Sequence, residues 1–214
     1  MKIALIGATG FVGSALLTEL LSRGHAVTAL ARHPEKIAAQ PGLQVVKADV
    51  TDATQVARAV AGHDAVVSAY NPGWGEADIH RLFGLGYDGI LAGARQAGVK
   101  RVLAVGGAGS LEVAPGLQLV DTPEFPAEWK QGALAARDLL TRLRGETELE
   151  WTFVSPPIAL APGERTGQYR TGGDQLLPGA GEAPAGISVA DLAVAIVDEV
   201  EKPKHVRARF TVAN

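Results

Sequence analysis

The sequence predicts one α/β domain, a Rossmann-like, doubly wound parallel sheet with helices on both faces. Three observations carry that expectation. Short apolar, β-rich runs alternate with stretches of helical period from Lys2 to Ser155. A Gly-x-x-Gly-x-x-Gly spacing follows the first of these runs and opens the first helix. The chain has 214 residues, 47% of them hydrophobic and 20% charged, which suits a single soluble domain with a sizeable core.

The elements follow in order. Lys2 to Ile6 reads as a buried strand, and Phe11, Ala15, Leu16, Leu20 and Leu21 recur with helical period up to Gly24. Between them lie Gly7, Gly10 and Gly13. On a strand-to-helix turn these three have distinct tasks. Gly7 permits the tight turn, Gly10 lets backbone approach a pyrophosphate, and Gly13 lets the helix pack close to the strand. The N–H groups around Thr9, Phe11 and Val12 then point outward at the positive end of a helix, where an anion is stabilised. The motif therefore predicts a dinucleotide site.

Ala26 to Ala31 is the second strand, and Arg32 to Glu35 turns into a short helix with Pro34 in its first turn. Leu43 to Ala48 is the third strand, ending in Asp49-Val50; Thr51-Asp52 caps a helix through Val60. Asp64 to Ser68 is the fourth strand. A helix spans about Glu76 to Ala97, although glycines at 84, 86, 89 and 93 argue against its continuity. Lys100 to Val105 is the fifth strand and runs into Gly106-Gly107-Ala108-Gly109-Ser110. Leu111 to Pro126, with prolines at 115, 123 and 126, reads as a loop, and Ala127 to Arg144 as a helix with Leu134, Leu139, Leu140 and Leu143 on its apolar stripe. Leu149 to Ser155 is the sixth strand, stopped by Pro156-Pro157. Pro162 to Gly186 is rich in Gly and Pro and is expected to hold a hairpin, Gln168 to Leu177, turning at Gly172-Gly173. Residues 156–187 are the expected substrate-covering region. Ser188 caps a last helix, Val189 to Glu201, and Arg207 to Val212 ends as a short strand. No linker or repeat divides the chain, so residues 1–214 read as one nucleotide-binding domain.

Composition excludes several classes. A net charge of −3 gives no electrostatic footprint for nucleic acid or an anionic membrane. No run approaches the ~18 consecutive apolar residues of a membrane span. The Met-Lys-apolar start reads as the first strand rather than a signal peptide, because the glycine motif interrupts it; a cytoplasmic location is the expectation. Without cysteine there is no disulfide framework or thiolate chemistry, and His25, His33, His63, His80 and His205 show no ligand spacing, so no metal is expected.

With Gly7-Ala8-Thr9-Gly10-Phe11-Val12-Gly13, Asp49-Val50 and Gly98-Val99-Lys100-Arg101-Val102 in place, the chain resembles the atypical short-chain dehydrogenase/reductases, in particular the NmrA-like NAD(P)H-binding group. Phe125-Pro126-Ala127-Glu128-Trp129-Lys130 and Gly163-Glu164-Arg165-Thr166-Gly167 are similar to segments of its NADH-flavin reductases. The resemblance implies further contacts. Arg32, at the end of strand two, stands where a cation accommodates the 2′-phosphate of NADP, so NADP is favoured and NAD remains possible. Asp49 and Val50 match the adenine-contacting pair, with a turn or cap role for Asp49 as the alternative. Ser68, Ala69 and Tyr70, with Gly106 at the end of strand five, line the ribose and nicotinamide side.

One departure stands out. Short-chain dehydrogenases use Tyr-x-x-x-Lys as a proton-transfer pair. Tyr70, Tyr87 and Tyr169 are followed four positions later by Trp74, Leu91 and Gly173, and Pro126 lies four before Lys130. A flat flavin-like or quinone-like acceptor tolerates that loss, since its ring is electron-poor and its proton can come from water. Ser110 is the candidate proton or hydrogen-bond donor, with a polar loop role as the alternative. Phe125, Trp129 and Trp74 are candidates for an aromatic wall, with core packing the alternative for Trp129. Two other functions stay open: a non-catalytic NAD(P) sensor of NmrA type, and a relative of sugar-nucleotide epimerases or dehydratases. Substrate, partner and oligomeric state are not legible.

Overall fold

The computed structural model describes residues 1–179 and 185–214. In chain order its principal elements are β1 (Lys2–Ile6), α1 (Phe11–Ser22), β2 (Ala26–Ala31), β3 (Leu43–Lys47), α2 (Ala53–Val60), β4 (Ala65–Ser68), α3 (Ile79–Gln96) and β5 (Arg101–Val105). They continue with β6 (Glu112–Ala114), β7 (Leu117–Gln118), α4 (Ala127–Arg144), β8 (Glu150–Ser155), β9 (Ala159–Ala161), β10 (Arg170–Gly172), β11 (Gly186–Ser188), α5 (Val189–Glu201) and β12 (Ala208–Ala213). The central sheet has eight strands in the order β10-β12-β8-β5-β4-β1-β2-β3. All its neighbours are parallel except β10, which pairs antiparallel with β12. The strand order reverses between β1 and β4, and such a switch opens a crevice at the carboxyl ends of the strands.

Alternation along each strand builds two cores. Ala4 and Ile6 of β1 face one layer with Val56, Phe83, Tyr87, Ile90, Leu139 and Leu140, drawn from α2, α3 and α4. Ile3 and Leu5 face the other with Leu16, Leu20, Leu192 and Ile196 from α1 and α5. Caps follow the sequence: the Asp52 carboxylate accepts from the N–H of Thr54 and Gln55 at 2.9 and 3.1 Å, and Ser188 Oγ from the N–H of Asp191 at 3.0 Å. Among the described residues no helix is long and apolar enough to cross a membrane.

α3 is one continuous helix despite its glycines. Three of them are contact sites: a Cβ on Gly86 would lie 2.1 Å from the Tyr70 ring, one on Gly89 2.1 Å from the Val50 carbonyl, and one on Gly93 2.6 Å from Val56. Bare backbone lets α3 lie against α2 and the Tyr70 loop, so close packing offsets what helix propensity loses.

The irregular second half differs from its sequence expectation in two places. The expected hairpin at Gln168–Leu177 is absent. Arg170–Gly172 instead pairs with β12, whose outer edge would otherwise be open, with Arg170 opposite Ala213 and Gly172 opposite Thr211. A hairpin forms earlier, in the segment read as a loop: β6 and β7 turn at Pro115-Gly116, with Gly116 at φ 75°. Pro followed by a left-handed Gly is a tight-turn signature that periodicity does not reveal.

The stretch expected to cover the substrate divides. Pro156 to Ala161 leaves the carboxyl end of β8, and β9 pairs in parallel with β11 just before α5. Residues 163–177 instead strap the outside of α5, α1 and the sheet edge. Arg165 donates to both oxygens of Glu19 at 2.7 and 2.8 Å, and Thr166 and Gly167 satisfy Asp191 through contacts of 2.6–2.9 Å. Glu19 and Asp191 are 4% and 1% exposed, and buried carboxylates require such donors. The Arg165 bond holds Glu19 below the usual carboxylate range against the effect of burial. The strap then passes Asp174 to Arg209 and Arg144. Residues 180–184 of the expected covering region lie outside the described residues.

Candidate functional site

The carboxyl ends of β1, β2, β4 and β5 bring Gly7, Arg32, Ser68 and Gly106 to one edge of the sheet. The turn after β1 is built from backbone alone. Gly7 has φ 84°, and a Cβ there would lie 2.5 Å from the Ala69 carbonyl, so β1 and β4 meet where only glycine fits. A Cβ on Gly13 would lie 1.8 Å from the Gly7 carbonyl oxygen, which sets how closely α1 approaches the turn. Gly10 is different. It caps α1 with φ −80°, open to any residue, and a Cβ there would meet only the Gly7 oxygen at 3.4 Å, an ordinary contact. Among the described residues, nothing requires glycine at 10.

The missing side chain thus leaves an open cradle at the N-terminus of α1, where Phe11 and Val12 present N–H groups without intrahelical partners. Phe11 is half exposed, and the first turn of α1 holds no acidic residue that would compete for this pole. An uncompensated helix N-terminus behind a bare cradle fits a pyrophosphate. The donor set therefore fits the diphosphate of a dinucleotide.

Arg32 is exposed just past β2 and, among the described residues, makes no hydrogen bond or ion pair. Tyr70 ties the neighbourhood together. Burial raises the pKa of its phenol; the Arg32 charge opposes that, and Asp49 and Glu76 add to it. Asp49 Oδ1 accepts from the N–H and hydroxyl of Thr51 at 2.9 and 2.8 Å, a turn-forming role that leaves Oδ2 open. Val50 is 8% exposed and packs in the core. Ser68 is buried, and its Oγ accepts the Tyr70 N–H at 3.3 Å while donating to the Tyr87 hydroxyl at 3.2 Å. Ala69 N–H donates to Ile6 carbonyl at 2.9 Å, fixing the end of β4 against β1.

The three phenols are committed elsewhere. Tyr70 donates to the Leu82 carbonyl at 3.2 Å. Tyr87 is fully buried, bonded to Ser68, and pushed well up by that burial. Tyr169 donates to Asp198 at 2.5 Å, on the outside of α5 and away from the glycine turn.

After β5 the chain makes a second glycine turn. Gly106 packs on the Phe153 ring and Gly109 on Ala133, whereas a Cβ on Gly107 would meet nothing within 4 Å. Ser110 is 2% exposed; its Oγ accepts from Arg209 at 3.3 Å, and the same guanidinium reaches Ser155 Oγ at 3.2 Å. Arg209 belongs to β12 and ties the β5 turn to the end of β8, a link with no signal in the sequence. Of the expected aromatic wall, Trp74 and Trp129 are exposed and Phe125 is half-buried.

A groove of about 470 Å³ lies at the opposite end of the sheet, lined by Lys2, Ala26, Gly42, Gly62 and His63 among others. It borders the amino ends of the strands, far from the helix N-terminus that attracts an anion, so it is not the dinucleotide site.

Fold and turn together define a dinucleotide-binding α/β protein. Residues 7–203 match the family model described as NAD(P)H-binding. The chain belongs to this NAD(P)H-binding family. It is similar over its whole length to the crystal structure of a protein provisionally called exported from Burkholderia pseudomallei, with 46% identity, TM-score 0.90 and all of that chain covered. A protein from Bacteroides thetaiotaomicron, provisionally called an epimerase, is 47% identical over 99% of this chain and 96% of its own, with TM-score 0.91. A protein from Streptococcus pneumoniae TIGR4, provisionally called an NADH-flavin reductase, is 35% identical over 100% of this chain and 99% of its own, with TM-score 0.84. Their names diverge although their folds do not; a shared fold does not fix one reaction.

Proposed function

We propose that the chain is an NADPH-preferring oxidoreductase that delivers hydride to a flat, electron-poor acceptor of flavin or quinone type. The observation that carries this reading is the commitment of all three tyrosine hydroxyls to structural partners in a chain without the Tyr-x-x-x-Lys pair. Carbonyl reduction and sugar-nucleotide epimerisation rely on such an acid–base group; hydride transfer to an electron-poor ring does not. The similarity to the Streptococcus pneumoniae protein points the same way.

The roles follow from placement. N–H groups at Thr9, Phe11 and Val12 bind the diphosphate across Gly10, and Gly7 and Gly13 shape that turn. Arg32 takes the 2′-phosphate as a charge-assisted contact. Asp49 and Val50 flank the adenine, while Ser68, Ala69, Tyr70 and Gly106 line the ribose and nicotinamide side. When bound, the nicotinamide cofactor supplies hydride from its C4, and with a proton from water the acceptor is reduced by two electrons. Ser110 accepts from Arg209, which leaves its own proton for the acceptor or for that water. Orientation and exclusion of bulk water are the protein's main contributions.

The test is NADPH oxidation by purified protein with FMN, FAD or a simple quinone added. Turnover above the uncatalysed rate is expected. Tight NADPH binding with no turnover on any acceptor would overturn the reading and leave a nucleotide sensor.

A further inference from the structure

We propose that the acceptor site lies between the 69–78 loop and the first turn of α4, where Trp74 and Trp129 hold a flat ring and Lys130 pairs with an anionic group on it. The site rests on the proposed reductase activity for its reaction, and its ligand-binding chemistry is testable separately. Two exposed indoles alone would mean little: Trp74 is 60% exposed and Trp129 51%. The seat beneath one of them means more.

Gly132 lies inside α4, where glycine costs helix stability relative to alanine. A Cβ there would stand 2.6 Å from Cζ3 and 3.3 Å from Cη2 of Trp74, with Ile79 Cδ1 next at 3.2 Å. The helix has given up a side chain to seat an indole that is mostly in water. Holding an exposed ring in one place has no value for the core; it has value for a ligand that stacks on it.

Trp129 is three residues before Gly132 and so shares its face of α4, one turn nearer the helix start. Ala133, next to Gly132, lies against Gly109 of the β5 turn. Just past its first turn, α4 therefore spans from Trp74 of the β4 loop to Gly109 of the β5 turn, two residues from the open position at Gly107.

Lys130 lies in that same turn, one turn before Ala133. It is half-buried and, among the described residues, has no hydrogen-bond or ion-pair partner. A cation in the first turn opposes the helix dipole, a cost offset when an anion binds beside it. A planar, electron-poor ring bearing a phosphate, as in a flavin mononucleotide, satisfies the indoles and the lysine together.

The test titrates FMN and lumiflavin, which lacks the phosphate, into NADP-saturated protein, read by quenching of tryptophan fluorescence and by calorimetry. FMN should bind more tightly than lumiflavin. Trp74→Leu and Trp129→Leu should each weaken both ligands on the order of tenfold, as loss of one stacking partner does. Gly132→Ala, which leaves both indoles in the chain but displaces Trp74, should act like Trp74→Leu. Lys130→Met should abolish the advantage of FMN over lumiflavin and leave lumiflavin binding unchanged. NADPH affinity should be unaltered throughout.

Wild-type FMN affinity in the tryptophan variants, equal binding of the two ligands to wild type, or a parallel loss of NADPH affinity would each overturn the site. Flavin binding with this pattern but without NADPH oxidation would support the site and overturn the reductase reading. Flavin turnover indifferent to the tryptophans would do the reverse.

Discussion

The turn after β1 and the turn after β5 are both glycine-rich, and both place one bare position on open space between two that are packed. They are held by different means. Around Gly7 and Gly13 the contacts are carbonyl oxygens of the neighbouring backbone, so the shape depends on very few side chains. Around Gly106 and Gly109 the contacts are Phe153 and Ala133, and Ser110 is held by Arg209 from β12, two strands away. The first turn is thus self-contained, which suits a constant ligand part such as a diphosphate. The second takes its form from α4, β8 and β12, and changes in those elements can reshape it without touching the first.

Substitutions at the two turns sharpen this comparison. The largest effect is expected at Gly13→Val, where the new side chain meets backbone at 1.8 Å and neither α1 nor β1 can give way; soluble folded protein should be lost, as judged by circular dichroism. Gly10→Val should fold with a near-normal melting temperature yet weaken NADPH by at least about tenfold, the loss of one or more charge-assisted hydrogen bonds. Were Gly10→Val to bind NADPH normally, the claim that position 10 is bare for a ligand would fail.

At the second turn, Gly107→Val should fold, bind NADPH normally and lose acceptor turnover, because its Cβ enters the open space where the acceptor is proposed to sit. Retained turnover would break the proposed division of labour between the turns. Arg32→Ala is expected to weaken NADPH by on the order of 10–100-fold and NADH little, from a charge-assisted contact of roughly 1.5–3 kcal/mol. A titration in which wild-type protein prefers NADH would contradict the role given to Arg32 and leave the glycine turn intact. The smallest change should come from Tyr70→Phe, Tyr87→Phe and Tyr169→Phe, each leaving turnover within about tenfold, below the roughly 10²–10⁴-fold worth of a general acid. A thousandfold loss in one variant, with fold and NADPH affinity preserved, would restore a tyrosine-based mechanism.

The self-contained turn was also the legible one. Gly7, Gly10 and Gly13 announce strand, turn and helix by spacing, and the strands and helices through β5 follow from apolar period because each buries one regular face. α3 was legible except for its glycines, which sequence weighs as helix breakers and packing uses as contact points. At the second turn the glycines and Ser110 are legible and their supports are not, because these come from distant parts of the chain: Arg209 is 99 positions from Ser110. The strap was missed for the same reason, with Arg165 and Glu19 146 positions apart. Periodicity reports burial within one element and carries no sign of which charge answers another across the fold. The Pro115-Gly116 turn, by contrast, is written in the sequence, in a segment without apolar period.

The central claim is direct hydride delivery to a flat acceptor held beside the β5 turn. Stopped-flow mixing of the NADPH-bound protein with FMN, FAD and simple quinones, repeated with NADPH deuterated at the transferred C4 position, tests it most directly. NADPH bleaching and acceptor reduction should run at one common rate, faster than the uncatalysed reaction and slowed by deuterium. No acceleration with any of these acceptors would contradict it.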